Sequence, residues 1–440
     1  MKSIYETIFA LILGCLSPLS VQAATYIWDN QNANGIWNDP VNWGIGGNPN
    51  DNHAPTILDT VAFRNDSPAG TVTLTNDGAA ARIRQNATAR VWTITIDPSQ
   101  TVDRTLTLGG TAAELFDFAF AATDYTIDGT PNGSGAKLKL VINGTQSSCP
   151  VNTNASLTLN CEVSGTNGFT LDAGYAGTGT LVLGGTNIYT GATTVNAGRL
   201  LVNGSTAVAS SVTVSGGRLG GTGTIGGAVT VGSAGSIGAG ASVGSLTLQN
   251  GLDLSAGGTN VWELAAVSTS NPGTDFDQIV LTGGTLTLGG SSTLSIRFTG
   301  SATAPDSSNP FWQSARSWTV ILASGVASNF GAVENGNYPA GNFTTSAEGS
   351  GIVLTFSPGA PAVAKPLITS LVGAGTTNVI VNYTNTLAAT NYTLQYNTNL
   401  SATNWHDVGT APASGTSASQ TDSPPAGDPQ RYYRVFYVTP

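Results

Sequence analysis

The sequence predicts an all-β protein: a right-handed parallel β-helix (a solenoid) with aromatic caps, followed by a small β-sandwich. Three observations lead there. First, a unit of Thr, an aliphatic residue, two variable positions and Gly recurs: Thr194-Val195-Asn196-Ala197-Gly198, Thr213-Val214-Ser215-Gly216-Gly217, Thr230-Val231 followed loosely by Gly235, and Thr247-Leu248-Gln249-Asn250-Gly251. The anchors Val195, Val214, Val231 and Leu248 are 19, 17 and 17 residues apart, the length of one short solenoid turn. Such a coil cannot bury a core alone, so its stability has to come from stacking. Second, the 440 residues include 56 Gly, many in pairs between short runs of Thr, Val and Leu. Third, only 9% of residues are charged. Stacked strands lie about 4.8 Å apart, so like charges repeated along a stack would repel at every step.

Low charge does not signal disorder here, because the chain is threaded with Val, Ile, Thr, Tyr and Trp at strand spacing. The formal net charge of −10, without a Lys/Arg cluster, argues against nucleic acid as a partner. Residues 1–23 read as a signal peptide: Lys2, an apolar core from Ile8 to Leu16, and Val21-Gln22-Ala23 as the cleavage site before Ala24. That core is shorter than the ~20 residues a membrane-spanning helix needs, and no other run in the chain is apolar enough to span. The expected location is extracellular or on the outer cell surface, with the periplasm as an alternative. Ile12-Leu13-Gly14-Cys15 offers a competing reading, a lipoprotein box that would place a lipid on Cys15. Export to an oxidising compartment makes Cys149 and Cys161 candidates for a local disulfide, with two buried free thiols as the other reading.

Along the chain, residues 24–65 form an N-terminal cap. Trp28, Trp37 and Trp43 sit among Asn, Asp and Gly, suited to cover the first open coil. The same three tryptophans are the candidates for glycan contact, since Trp beside Asn and Asp also suits sugar stacking. The β-helix occupies 66–300. Strands such as 71–76, 91–97, 105–110, 125–129 and 137–144 end at Gly, Asn or Asp, which tolerate tight turns, and 156–163 continues the series. Alternation puts Leu138, Leu140 and Ile142 on one face and Lys137, Lys139 and Val141 on the other. The stretch 112–122 is the one place suited to a short helix or a lateral cover. Residues 301–357 read as closing coils and a cap with Trp312 and Trp318, and the Pro/Ala/Gly-rich 358–366 as a linker. Residues 367–440 then carry strands at sandwich-like spacing, among them 377–385, 391–400, 404–409 and 431–438, with Trp405 and Tyr433 expected in the core.

The stretch GTGTLVLGGTNIYTGATTVNAGRLLVNG, 177–204, resembles the autotransporter-associated β-strand repeat, also called the passenger-associated transport repeat. Gly179-Thr180-Leu181 with Leu183, Asn187-Ile188-Tyr189-Thr190-Gly191, and Thr194-Val195 with Gly198 and Leu200 occupy the places of its motif. A looser likeness extends from about 165 to 300. The resemblance implies an exported, surface-displayed passenger. The roughly 80 residues after Pro358 are too few for the membrane barrel of an autotransporter, so self-export through a fused translocator is not expected. The phrase YTLQYNTNLSATNWHDVG ending in RYYRV resembles small fibronectin-like β-sandwich modules of secreted bacterial proteins.

No catalytic, cofactor or metal constellation is expected. The carboxylates weighed for a polysaccharide-cleaving site are Asp275 with Asp277, and Glu114 with Asp117. A turn role is the preferred reading of the Asp275 and Asp277 pair. His53 and His406 are too far apart in sequence for a metal pair or a triad. Gly-x-Gly runs such as Gly177-Thr178-Gly179 have no helix after them to bind a dinucleotide. The function expected is therefore a non-enzymatic surface or matrix protein, passenger-like and adhesive. A carbohydrate-binding or polysaccharide-degrading β-helix is the alternative. The partners implied are extracellular polysaccharide or cell-surface components.

Overall fold

The computed structural model describes residues 23–45, 53–68, 70–85, 90–109, 114–118, 123–144, 147–152, 155–172, 179–359, 365–428 and 430–437. The segment expected to be a signal peptide, up to Gln22 and including Cys15, lies outside them.

The chain folds as a parallel β-helix. Eleven strands stack, each parallel to its neighbours, from Gly70–Leu74 through Trp92–Ile96, Tyr125–Asp128, Ser156–Asn160, Thr180–Leu183, Arg199–Val202, Arg218–Gly220, Ser236–Ile237, Thr259–Leu264 and Thr293–Phe298 to Ala332–Glu334. This long sheet is one wall of the coil. In the first half the other walls are the sheet Thr25–Trp28, Thr60–Phe63, Arg82–Gln85, Phe116–Asp117 and the sheet Gly78–Ala80, Arg104–Leu108, Leu138–Ile142, Glu162–Gly165. In the second half they are a six-stranded sheet from Thr170–Leu171 to Leu286–Thr287 and a sheet beginning at Thr224–Ile225 and Ser245–Leu248.

Strand alternation produces the core. Val72, Ile94, Ile127, Leu159, Leu183 and Val202 are partners in successive registers and all are buried. Leu138, Leu140 and Ile142 face inward while Lys139 and Val141 face out, the predicted phase. Each fully buried aliphatic contributes about 1.5–3 kcal/mol relative to exposure, and one continuous cluster runs from Tyr26 to Phe356.

Coil length is set by the repeat. Down one inner column Leu181 pairs with Leu200, Leu200 with Leu219 and Leu219 with Ile237, steps of 19, 19 and 18 residues. Coils lengthen on both sides: 24 from Leu157 to Leu181, and 34 from Asn260 to Leu294. Val195, Val214 and Val231 stack as predicted. Leu248 does not continue them. It pairs with Ile225 and Leu281 on a different wall, and the fourth place under the Val229–Val231 strand goes to Leu252–Asp253. The coil has grown by several residues in the Gly232–Gly244 segment, so a fixed period no longer returns to the same wall. The stretch 112–122 supplies the strand Phe116–Asp117 in place of a helix, and the rest of it lies mostly outside the described residues.

Both ends of the β-helix are closed. Trp28, Trp37 and Trp43 are buried, with ring centroids 4.9 Å (Trp28 to Trp43) and 5.0 Å (Trp37 to Trp43) apart. Phe63 and Trp92 continue the cluster into the core. The Trp37 N–H donates to the Thr73 carbonyl (2.8 Å) and the Thr73 N–H to the Gly35 carbonyl (2.7 Å), covering the otherwise open edge of the first long-sheet strand. At the far end the antiparallel strands Arg316–Leu322, Gly351–Pro358 and Gly341–Glu348 close the sheet over Trp312, Trp318, Phe343 and Phe356.

Residues from Gly359 onward form a second compact unit. It has two three-stranded antiparallel sheets, Leu367–Val372, Val379–Thr384, Ser417–Asp422 and His406–Pro412, Asn391–Asn397, Tyr432–Tyr437. Val379, Val381 and Leu394 pack between them, with Tyr433 against that cluster. The strands Leu367–Val372 and Ser417–Asp422 are additional to those expected; the latter, SASQTD, has no β-branched aliphatic residue to announce it.

Candidate functional site

The segment with the most specific sequence pattern is the coil around Asn187 and Tyr189. After the strand Thr180–Leu183 the chain turns at Gly185, where a Cβ would stand 1.9 Å from the Cys161 carbonyl oxygen of the coil before. Asn187 is buried at the corner, its Nδ2 donating to the carbonyls of Gly185 (2.9 Å) and Ser205 (2.8 Å), so one amide ties two successive coils. Ile188 points to solvent. Tyr189 turns inward, its ring edge-on to Phe169 at 5.3 Å and its hydroxyl 3.0 Å from Thr193 Oγ1. Burial raises the Tyr189 pKa, which keeps the phenol neutral. Each motif position therefore acts mechanically. Asn joins coils, Tyr fills the corner, and Gly lets backbones meet.

The family model of the passenger-associated-transport-repeat matches residues 175–202. Over this coil the chain is similar to that repeat, across 28 of its 440 residues. No curated protein matches the chain. The match thus contains Leu181 and Leu200, the first of the 19-residue steps, and the still shorter steps follow it.

From Arg199 of the repeat onward runs a cluster of buried and half-buried charge. Arg199 and Arg218 are register partners on adjacent long-sheet strands. Arg218 Nη2 lies 3.3 Å from Glu263 Oε1, and Arg199 Nη2 donates to the carbonyls of Gly240 and Ala241. Burial, followed by the neighbouring Arg218 charge, lowers the Arg199 pKa. Asp277, 2% exposed, accepts from the N–H groups of Gly244 (2.9 Å) and Glu263 (3.1 Å), and its carbonyl accepts from the Trp262 indole (2.9 Å). Burial pushes its carboxyl up to about 8, reinforced by Glu263 and opposed by the two N–H donors. A raised carboxyl beside charge is what active sites use. Here both oxygens hold backbone, and the group fastens the segment 238–244 to the strand Thr259–Leu264. Arg218 and Glu263 escaped sequence reasoning. The signal for Arg218 was the recurrence of Arg at a 19-residue step in coils otherwise almost free of charge.

The remaining sequence candidates separate. Asp275 and Asp277 do not share a face: Asp277 is buried, whereas Asp275 is partly exposed and accepts from Asn271 Nδ2 at 2.8 Å. The strand begins only at Gln278, so strand alternation does not apply to the pair. Glu114 and Asp117 do converge, but on two arginines: Arg82 pairs with Glu114 and Arg84 Nε lies 3.0 Å from Asp117 Oδ2. His53 stacks against Tyr26 and His406 packs tilted against Tyr396, in different units. Among the described residues no group of three or more His, Cys, Asp and Glu is arranged to hold a metal ion, and no helix is long and apolar enough to cross a membrane.

Trp28, Trp37 and Trp43 offer no platform for a sugar, because their rings are buried in the cap. Cys149 and Cys161 are free rather than bridged. They occupy different corners of the coil, Cys149 bonded through its N–H to the Thr170 carbonyl and Cys161 closely bordered by Gly129 and Gly185. Burial raises both thiols, Cys161 to about 12, which leaves them protonated and poorly reactive. Trp405 stands outside both core clusters of the second unit, in contrast to Tyr433. Its ring carries the Arg434 guanidinium at 4.4 Å.

Proposed function

We propose that this chain is an exported, non-enzymatic surface or matrix protein, passenger-like and adhesive, in which the β-helix is a rigid body for display. The observation that carries the reading is the position of the transport repeat, at the start of the short 17- to 19-residue coils of a β-helix whose two ends are each covered by aromatic clusters. Its most perturbed carboxyl, Asp277, is engaged with backbone amides, which favours a structural over a catalytic role. Protease added to intact producing cells tests surface display. Loss of the full-length chain while an internal marker survives is the expected outcome; full protection overturns the surface location.

Carbohydrate contact is the second reading, and the observation that favours it lies in the C-terminal unit. On the outer face of the sheet Asn391–Asn397, His406–Pro412, Tyr432–Tyr437, Arg434 Nε donates to Gln395 Oε1 (2.8 Å) and Gln395 Nε2 to Asp407 Oδ1 (2.6 Å). This fixed polar chain lies beside Trp405 and the 40%-exposed Phe436. Planar polar groups next to aromatic rings suit a neutral sugar face. A glycan array should give binding that Trp405→Ala abolishes, and an array without signal removes this reading.

A further inference from the structure

We infer that cleavage between Ala23 and Ala24 creates the missing ionic partner of a carboxylate built into the first coil: the new α-ammonium of Ala24 seats on Asp59. This rests on the export reading and goes beyond it. The Ala24 N–H donates to Asp59 Oδ1 at 3.0 Å, and Asp59 is 3% exposed. The other carboxylate oxygen accepts the N–H (2.8 Å) and the hydroxyl (2.6 Å) of Thr56. In the uncut chain all three donors are neutral, and among the described residues Asp59 makes no ion pair. Arg82, on the strand that pairs with Thr60–Phe63, is engaged by Thr60 Oγ1 and by Glu114.

The geometry singles out one bond. Ala23 is exposed, so the peptide on its carboxyl side is open to a peptidase. Ala24 already belongs to the sheet, its carbonyl accepting the Thr60 N–H at 2.8 Å, while Thr25 pairs with Thr60. Hydrolysis adds the elements of water to the Ala23–Ala24 amide. The hydroxyl goes to the Ala23 carbonyl carbon and the remaining hydrogen to the Ala24 nitrogen, leaving an amine whose ordinary pKa is about 7.7–8.0 and which takes a further proton below it. Below that pH the atom facing Asp59 Oδ1 changes from a neutral donor to a cation without moving, and such charge-assisted hydrogen bonds are the stronger kind. Cleavage one residue earlier leaves a neutral amide at this atom, and one residue later removes the donor. Processing therefore tightens the first coil at the moment it releases the leader.

The test is a thermodynamic cycle with the full mature chain. One form begins at Ala24 and the other carries Gly-Ser ahead of Ala24, each with and without Asp59→Asn, unfolded in urea at pH 6.5. The expected result is that Asp59→Asn raises the unfolding constant at least tenfold more in the form beginning at Ala24. Effects equal within threefold overturn the inference. Should the substituted chain not fold, Nα-acetylation of the unsubstituted mature chain replaces it: a matching loss of stability supports the pairing and no loss overturns it. The intact mass of the exported protein should correspond to a start at Ala24. Export with a different start overturns the inference and leaves the export reading standing. Cytoplasmic retention of the uncut chain overturns the export reading, while the urea comparison still decides the pairing.

Discussion

Asp277 is a carboxyl whose proton stabilises the fold. Its pKa is about 8 in the folded chain, chiefly through burial, against about 3.9 for an unperturbed Asp. Between those values the folded state holds a proton that the unfolded state has released, so stability falls as pH rises through that window. Its contribution is fully present below about pH 4 and fully lost above about pH 8, at up to about 1.4 kcal/mol per pH unit. Urea midpoints should therefore drop steadily from pH 5 to pH 8. Asp277→Asn should flatten that slope, and a slope unchanged by the substitution would exclude Asp277 as its source. At this scale the sequence was least informative. It pointed to Asp277 and to the cysteines by residue type. Whether a group is buried depends on which wall its strand joins, and that follows only from coils distant in sequence.

At the scale of the element, the repeat works through stacked glycines. A Cβ on Gly204 would stand 1.9 Å from the Gly185 carbonyl oxygen, and one on Gly223 would stand 2.0 Å from the Gly204 carbonyl oxygen. Gly185, Gly204 and Gly223 thus form a column with no room for a side chain. Gly204→Ala should destabilise the β-helix by about 1–3 kcal/mol, as overpacking does, measured as a shift in the urea midpoint. Gly290→Ala is the control, since nothing lies within 4 Å of its added methyl, and it should shift the midpoint far less. The strands themselves were legible, because Thr/Val/Leu alternation and glycine punctuation are local properties. Register was legible only where coil length held constant. Val195, Val214 and Val231 were placed correctly, whereas Leu248 was assigned to the wrong wall because the segment after Val231 is longer.

For the whole molecule, the sequence made the two ends and the aromatic rings that close them visible. It left open what those rings do, and the three N-terminal tryptophans show why. A cap and a sugar platform use the same residues, and burial alone separates them. The shape of the walls carries a consequence for what the body is good at. Each step of 19 or 18 residues near the repeat advances the stack by one strand spacing, about 4.8 Å, or roughly a quarter of an ångström per residue, where an α-helix advances about 1.5 Å. As a means of gaining distance from a membrane this is poor architecture. What it yields is repetition: outward positions on successive strands, such as Arg199 and Arg218, recur one strand spacing apart in the same register. For the adhesive role proposed above, this geometry favours contact along the length of the stack over contact at its tip.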